Sequence, residues 1–211
     1  MSKIKLQIFS DYAWPFCYIG KGIVEKLKQE YPLDDEWINY ELHPETPASG
    51  IKIEDLLPGV DLKAMHLNLE KHGRQYGINF AANEFLPNTK MALEASEFAR
   101  ENNKFHEFHD RIFQAYFSEG KNIGNLMVIL EVAKDIGLDS ENLEEALIKH
   151  TYAAKVEENK KLSQENWITG IPTFISPDGC RIVGAQSYTS FKNTFDEIIS
   201  RVNHCSNSNH S

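Results

Sequence analysis

The two ends of this 211-residue chain are written in strands and its middle in helices. Ile4, Leu6 and Ile8 alternate with Lys3, Lys5 and Gln7, the period-two signature of a half-buried strand. Ile19, Ile23 and Leu27 then recur at i, i+4 and i+8, a helical stripe ending near Tyr31-Pro32. A second strand reads Ile38, Tyr40 and Leu42 against Trp37, Asn39 and Glu41. Strand, helix, strand in so short a span implies a βαβ unit with parallel strands and a right-handed crossover. At the other end, Thr173-Phe174-Ile175 and Arg181-Ile182-Val183 flank Pro177-Asp178-Gly179, whose Asp-Gly is a hairpin signal. Phe191, Phe195, Ile198 and Val202 follow at helical spacing, and His204 to Ser211 reads as a frayed polar tail.

Residues 45–60 are loop-like, broken by Pro and Gly. Helical periods follow at 61–76, 90–102, 104–118, 123–136, 140–150 and 152–167, punctuated by Gly73, Gly77, Pro87, Gly120, Gly124 and Gly137. The expected division is a discontinuous domain, 1–45 with 168–203, a helical insertion over 46–167, and a disordered tail at 204–211. In fold class this is α/β: a thioredoxin-like βαβ…ββα arrangement with a large all-helical insertion domain. Periodicity alone leaves a ferredoxin-like sandwich open.

Composition narrows the partners. With 22 basic and 31 acidic residues the net charge is −9, which repels phosphate backbones, so neither nucleic acid nor an anionic membrane is an expected partner. No apolar run approaches the roughly 18–20 residues of a membrane helix, and the strand pattern begins without a basic, then apolar, leader. A soluble, cytoplasmic chain is expected. The three cysteines (Cys17, Cys180, Cys205) are odd in number and far apart, so they read as free thiols and make no zinc site. His106 and His109 share a helical face, but further ligands are not evident nearby. A solvated face with one packed imidazole is the reading, and no metal is expected.

The informative place is the end of the first strand. Ser10-Asp11-Tyr12-Ala13-Trp14-Pro15-Phe16-Cys17-Tyr18-Ile19-Gly20 turns from strand to helix, with Pro15 at the first helical position, where its missing N–H costs nothing. Backbone N–H groups at such a turn stabilise an anion, including a thiolate. Thr169-Gly170-Ile171-Pro172-Thr173 sets a proline just before a strand, compatible with a cis peptide in a tight turn. That would present a backbone edge at Ile171, beside the helix N-terminus, to an extended substrate.

These residues resemble the DsbA-like thioredoxin family, specifically its cytosolic FrnE-type branch of dithiol–disulfide isomerases and oxidoreductases. Members carry Ser-Asp-x-x-Cys-Pro-(Phe/Trp)-Cys-Tyr-Ile-Gly, and Ser10 to Gly20 matches at all but one fixed position. Glu41-Leu42-His43-Pro44-Glu45-Thr46-Pro47, Pro87-Asn88-Thr89, Ala115-Tyr116-Phe117 and Gly170-Ile171-Pro172-Thr173-Phe174-Ile175 extend the match over about residues 3–202. The mismatch falls at the chemical centre: Trp14 stands where the family has its attacking cysteine, and Cys17 matches the resolving one. A two-electron dithiol cycle within the motif is therefore impossible. Cys17 should lie one helical turn in, partly covered by the Trp14 and Phe16 rings, with a raised pKa.

The resemblance implies a catalytic role for Cys17, and substrate binding by Trp14, Pro15, Phe16, Ile171 and Pro172. Any activity would be monothiol: Cys17 attacks a disulfide, the Ile171-Pro172 edge holds the peptide, and an external thiol resolves. Partners would be a disulfide- or thiol-containing peptide or protein, and the chain a monomer or homodimer. No dissociable cofactor is implied, although glutathione or another small thiol is admitted as co-substrate. Against these stands Cys17 as a small buried hydrophobe, and Trp14 as either a stacking platform or a plug. Two other functions stay open. One is a glutathione-dependent enzyme akin to kappa-class transferases and 2-hydroxychromene-2-carboxylate isomerases, against which Trp14 offers no hydroxyl. The other is a peptide-binding module without turnover.

Overall fold

The computed structural model describes residues 3–208, and side chains up to Arg201. Strand β1 (Ile4–Ser10) leads through the turn at 11–14 into helix α1 (Pro15–Lys28) and back into β2 (Leu33–Asn39). β1 and β2 pair in parallel, from Ile4 opposite Leu33 to Ser10 opposite Asn39. The second strand thus starts directly after Pro32 and ends at Asn39, leaving Tyr40 and Leu42 beyond it, not within it as their alternation suggested. The physical reason is double coverage: Trp37, Ile38 and Asn39 are all buried, so the true strand end shows no alternation.

The chain next forms two-residue strand β3 (Ile51–Lys52), short helix α2 (Ile53–Leu56), helix α3 (Leu62–Gly73) with a 3₁₀ turn at Arg74–Tyr76, and β4 (Phe85–Leu86). β3 and β4 pair antiparallel, where a loop was expected. Helices α4 (Lys90–Glu101), α5 (Phe105–Phe113), α6 (Leu126–Asp135), α7 (Ser140–Ile148) and α8 (Ala153–Glu165) complete the insertion, α5 passing into a π-helical turn at Gln114–Ser118. Strand β5 (Thr173–Ile175) then pairs antiparallel with β1, and β6 (Arg181–Val183) antiparallel with β5, giving the sheet order β2-β1-β5-β6. Gly179 takes φ 78° in the hairpin turn, the left-handed region that glycine tolerates.

Helix α9 (Tyr188–Ser208) closes the chain, its backbone helical into the stretch from His204 expected to fray; residues 209–211 of that tail lie outside the described residues. The side chains of Val202 and Cys205 also lie outside them. Phe174 meets Phe191 of α9 edge-on at 4.7 Å and would meet a Cβ at Gly20 of α1 at 3.1 Å, so both helices cover one face of the sheet. The insertion closes over the C-terminal ends of β1 and β2. The Asn39 amide donates to the Leu93 carbonyl (3.2 Å), the Ser96 hydroxyl (3.0 Å) and Glu97 Oε1 (2.7 Å), all on α4. Tyr18 of α1 stacks on Phe113 and Phe117 at 5.3 and 5.7 Å. Sheet and insertion therefore share one continuous apolar core.

Candidate functional site

Asp11, the first residue past β1, is 2% exposed. Its Oδ1 accepts from the Ala13 N–H at 3.0 Å, and Oδ2 from the Leu42 N–H at 2.6 Å and the Thr89 hydroxyl at 3.4 Å. One carboxyl group thereby ties the turn to the segment after β2 and to the start of α4. Burial raises its pKa from 3.8 to about 6; the three donors oppose the rise and Glu41 adds to it.

Trp14 is the N-cap of α1, extended at φ −98° and ψ 115°, and its side chain caps nothing. Pro15 holds the first helical position. The Trp14 and Phe16 rings, both partly exposed, lie 5.8 Å apart. The Cys17 N–H donates to the Trp14 carbonyl at 2.9 Å, and the Cys17 side chain is fully buried. Burial pushes its thiol up to about 12; the Ser10 hydroxyl and the Asp11 backbone N–H pull the other way, and the Asp11 charge adds to the rise. At pH 7 on the order of one molecule in 10⁵ would carry the thiolate.

The second expected stretch packs on the same helix. A Cβ at Gly20 would lie 3.2 Å from Cγ of Pro172, and Gly20 follows Cys17 by three residues, on the same face of α1. The Ile171–Pro172 bond is cis. Ile171 and Pro172 are both buried, so the open substrate edge expected there is a lined interior, because the Pro172 ring fills the space left by the missing Gly20 side chain. Among the described residues the Ile171 N–H and carbonyl take no hydrogen-bond partner. Cys17 and Cys180 are free thiols.

One feature has no local signal. Asp11 stands in the motif, yet its anchoring role depends on Leu42 and Thr89, 31 and 78 positions away. His109 is the packed imidazole of the insertion, with Nδ1 3.2 Å from the Tyr12 hydroxyl and its ring 4.3 Å from that of Trp37. Burial holds its pKa well below the ordinary value, with nearby cations, Lys21 first, adding to this. His106 instead faces solvent near Asp35 at 3.8 Å. No group of three metal-ligating side chains forms among the described residues. No described helix is long and apolar enough to cross a membrane.

Beside Trp14 and Pro15 opens a cavity of ≈ 520 Å³, roofed by α2 and α3 and floored by Phe80, Leu86, Tyr116 and Phe117. Pro172 is not among its walls.

A strand-to-helix turn carrying Trp-Pro-Phe-Cys, a proline packed on the same helix and a helical insertion over the strand ends thus stand together in one fold. The DSBA-like thioredoxin domain matches residues 5–196. The chain belongs to that family. It is 33% identical over 202 residues to the uncharacterised protein YwbO of Bacillus subtilis (strain 168), covering 93% of this chain and 96% of that one. A probable DsbA oxidoreductase from Streptomyces coelicolor superposes with TM-score 0.86 at 21% identity, over 93% of this chain and 90% of the other. The cytosolic disulfide reductase DsbM of Pseudomonas aeruginosa, in a structure with GSH, superposes with TM-score 0.65 at 17% identity, over 95% and 98%. These two likenesses establish the shared fold.

Proposed function

We propose that this DsbA-like protein is a cytoplasmic thiol–disulfide oxidoreductase of the FrnE type, attenuated to a single thiol. The observation that carries the reading is the position of Cys17. It is the one sulfur in the first turn of α1, packed on the helix face that also receives Pro172, fully buried and with its pKa pushed up to about 12. Trp14 holds the position from which a family member attacks. Exchange therefore waits on local opening of the turn, after which Cys17 loses its proton and its thiolate attacks one sulfur of a substrate disulfide. The Cys17–substrate S–S bond forms, the substrate S–S bond breaks, and the departing sulfur leaves as a thiolate. An external thiol of the glutathione kind then attacks the mixed disulfide, forms its own S–S bond to the substrate sulfur and returns Cys17 reduced.

The substrate is a disulfide-bearing peptide or protein, and the unpaired Ile171 backbone groups, buried in the closed turn, become a place for an extended strand to dock once the turn opens. Family membership and kinship to disulfide oxidoreductases of the same fold support this class.

The test is insulin reduction with glutathione as the resolving thiol. Wild type should show slow turnover that Cys17→Ser abolishes, and Trp14→Cys should raise it by an order of magnitude or more, because it restores an exposed attacking sulfur at the N-cap. Equal rates for wild type and Cys17→Ser would remove the thiol from the mechanism. No gain from Trp14→Cys would misplace the site.

A further inference from the structure

We propose that two copies of this chain pair through the free edge of the central sheet, β6 against β6, with Trp167 of each copy beside the seam. The ladder to β5 fixes which way the β6 backbone faces. The Gly184 N–H donates to the Pro172 carbonyl at 2.8 Å, the Ser176 N–H to the Cys180 carbonyl at 3.0 Å, and Ile182 lies opposite Phe174. Cys180, Ile182 and Gly184 therefore bond inward, and the backbone groups of Arg181 and Val183 point away from the sheet. Among the described residues neither of these two N–H groups has an acceptor, and the Arg181 carbonyl has no donor. The Val183 carbonyl meets only the Gln186 amide, at 3.5 Å. Such a row of unspent groups is a template for one more strand.

Trp167 stands next to that edge. It follows the C-cap of α8 at φ 52°, a left-handed position ordinarily filled by glycine, and the Ile168 N–H turns back to the Ser163 carbonyl at 2.9 Å. A bulky residue is strained there, and this one is 81% exposed, so neither helix capping nor burial within the chain accounts for its ring. The Asn166 carbonyl, one residue earlier, accepts from the Arg181 guanidinium. A Cβ at Gly170 would lie 3.8 Å from Cγ1 of Val183, which is itself 55% exposed. Arg181 and Val183 share one face of the sheet, being two residues apart, and the end of α8 stands on that face.

Charge and register select a second copy as the occupant. The other edge of the sheet, β2, opposes self-pairing: it carries Asp34, Asp35 and Glu36, and its Trp37 carbonyl already accepts from Arg100 at 2.7 Å. Strand β6 carries one cation and no carboxylate, so a chain of net charge −9 has here an edge free of acid repulsion. A two-fold axis at Ile182 sets Arg181 of each copy opposite Val183 of the other and pairs every outward N–H and C=O of the two strands. An axis at Arg181 would set guanidinium against guanidinium. One at Val183 would ask Ala185 to pair across Gly184, whose φ of 79° turns the chain out of the strand. The Ile182 register joins two four-stranded sheets into one of eight. A seam of two short strands and two indoles is small, which puts the association in the weak, concentration-dependent class below about 1,200 Å². The edge shares no residue with the thiol site, so the two readings fail separately.

The test is sedimentation velocity in reducing buffer, where no intermolecular disulfide contributes. Wild type should show a monomer–dimer equilibrium that shifts with concentration, and amide hydrogen exchange at Arg181 and Val183 should slow as the dimer forms. Val183→Pro removes an N–H that faces away from β5, so the hairpin survives while association weakens about tenfold or more. Trp167→Gly suits the left-handed position and should raise the melting midpoint while weakening association about tenfold. A chain that stays monomeric at millimolar concentration would overturn the assignment and leave the edge to an extended segment of another protein. A dimer that both variants leave intact, or exchange at Arg181 and Val183 indifferent to concentration, would overturn it equally.

Discussion

Asp11 and Cys17 sit six positions apart, and burial raises the pKa of both, so at neutral pH their protons behave oppositely. The thiol keeps its proton; the carboxyl, at about 6, has mostly given its up. An ionised group inside the turn weighs on stability in a definite pH window. Between pH 4 and 6 the folded chain holds a proton on Asp11 that the unfolded chain has released. Stability from this group is therefore complete below about 4 and lost as pH rises through about 6. The loss by pH 7 amounts to about 3 kcal/mol. In Asp11→Asn the amide nitrogen cannot accept from the Leu42 N–H, so the variant is less stable throughout, yet the pH dependence disappears. Urea denaturation at several pH values should show the wild-type advantage shrinking by about 3 kcal/mol from pH 4 to pH 7. A constant gap across that range would mean the folded Asp11 titrates normally.

Helix α1 positions everything the site uses, and two glycines let it do so. At Gly20 an added Cβ would press on Pro172 and Phe174 at 3.2 and 3.1 Å. At Gly22 it would lie 2.6 Å from Cβ of Tyr76, an atom that cannot swing aside because it is fixed to the backbone of the 3₁₀ turn. Alanine is the better helix former by about 1 kcal/mol, but overpacking costs about 1–3 kcal/mol. Gly22→Ala should therefore lower the melting midpoint despite its helical propensity; a raised midpoint would show that the 3₁₀ turn yields freely.

Much at this scale was legible in the residues. Thr173-Phe174-Ile175 and Arg181-Ile182-Val183 flank an Asp-Gly turn and form β5 and β6 at those positions, and the proline at 15 opens α1. What stayed hidden has no local period. Two-residue strands such as β3 and β4 cannot alternate, the end of β2 is covered on both faces, and the cavity is assembled from segments near 14, 53–69, 80–86 and 116 that meet only in three dimensions.

At the scale of the whole molecule, the boundary drawn between an α/β domain and a helical insertion crosses a buried polar network. Glu97 of α4, 3% exposed, accepts from Asn39 of β2 at 2.7 Å, from Asn159 of α8 at 3.0 Å and from Arg100 Nε at 3.0 Å. Arg100 in turn donates to the Trp37 carbonyl of β2 at 2.7 Å. Strand and helices thus satisfy one another's buried groups, and separating them would strand a carboxylate and several donors away from water. The insertion should not melt on its own. In urea, far-UV circular dichroism, dominated by the insertion's helices, and the fluorescence of buried Trp37 should trace one coincident transition. Asn39→Ala leaves Glu97 and the α4 acceptors short of a donor and should shift both curves to lower urea together, by about 1–3 kcal/mol. Curves that part company in wild type would make the insertion a separate folding unit. Curves that part only in Asn39→Ala would identify this network as the element that makes the two halves fold as one.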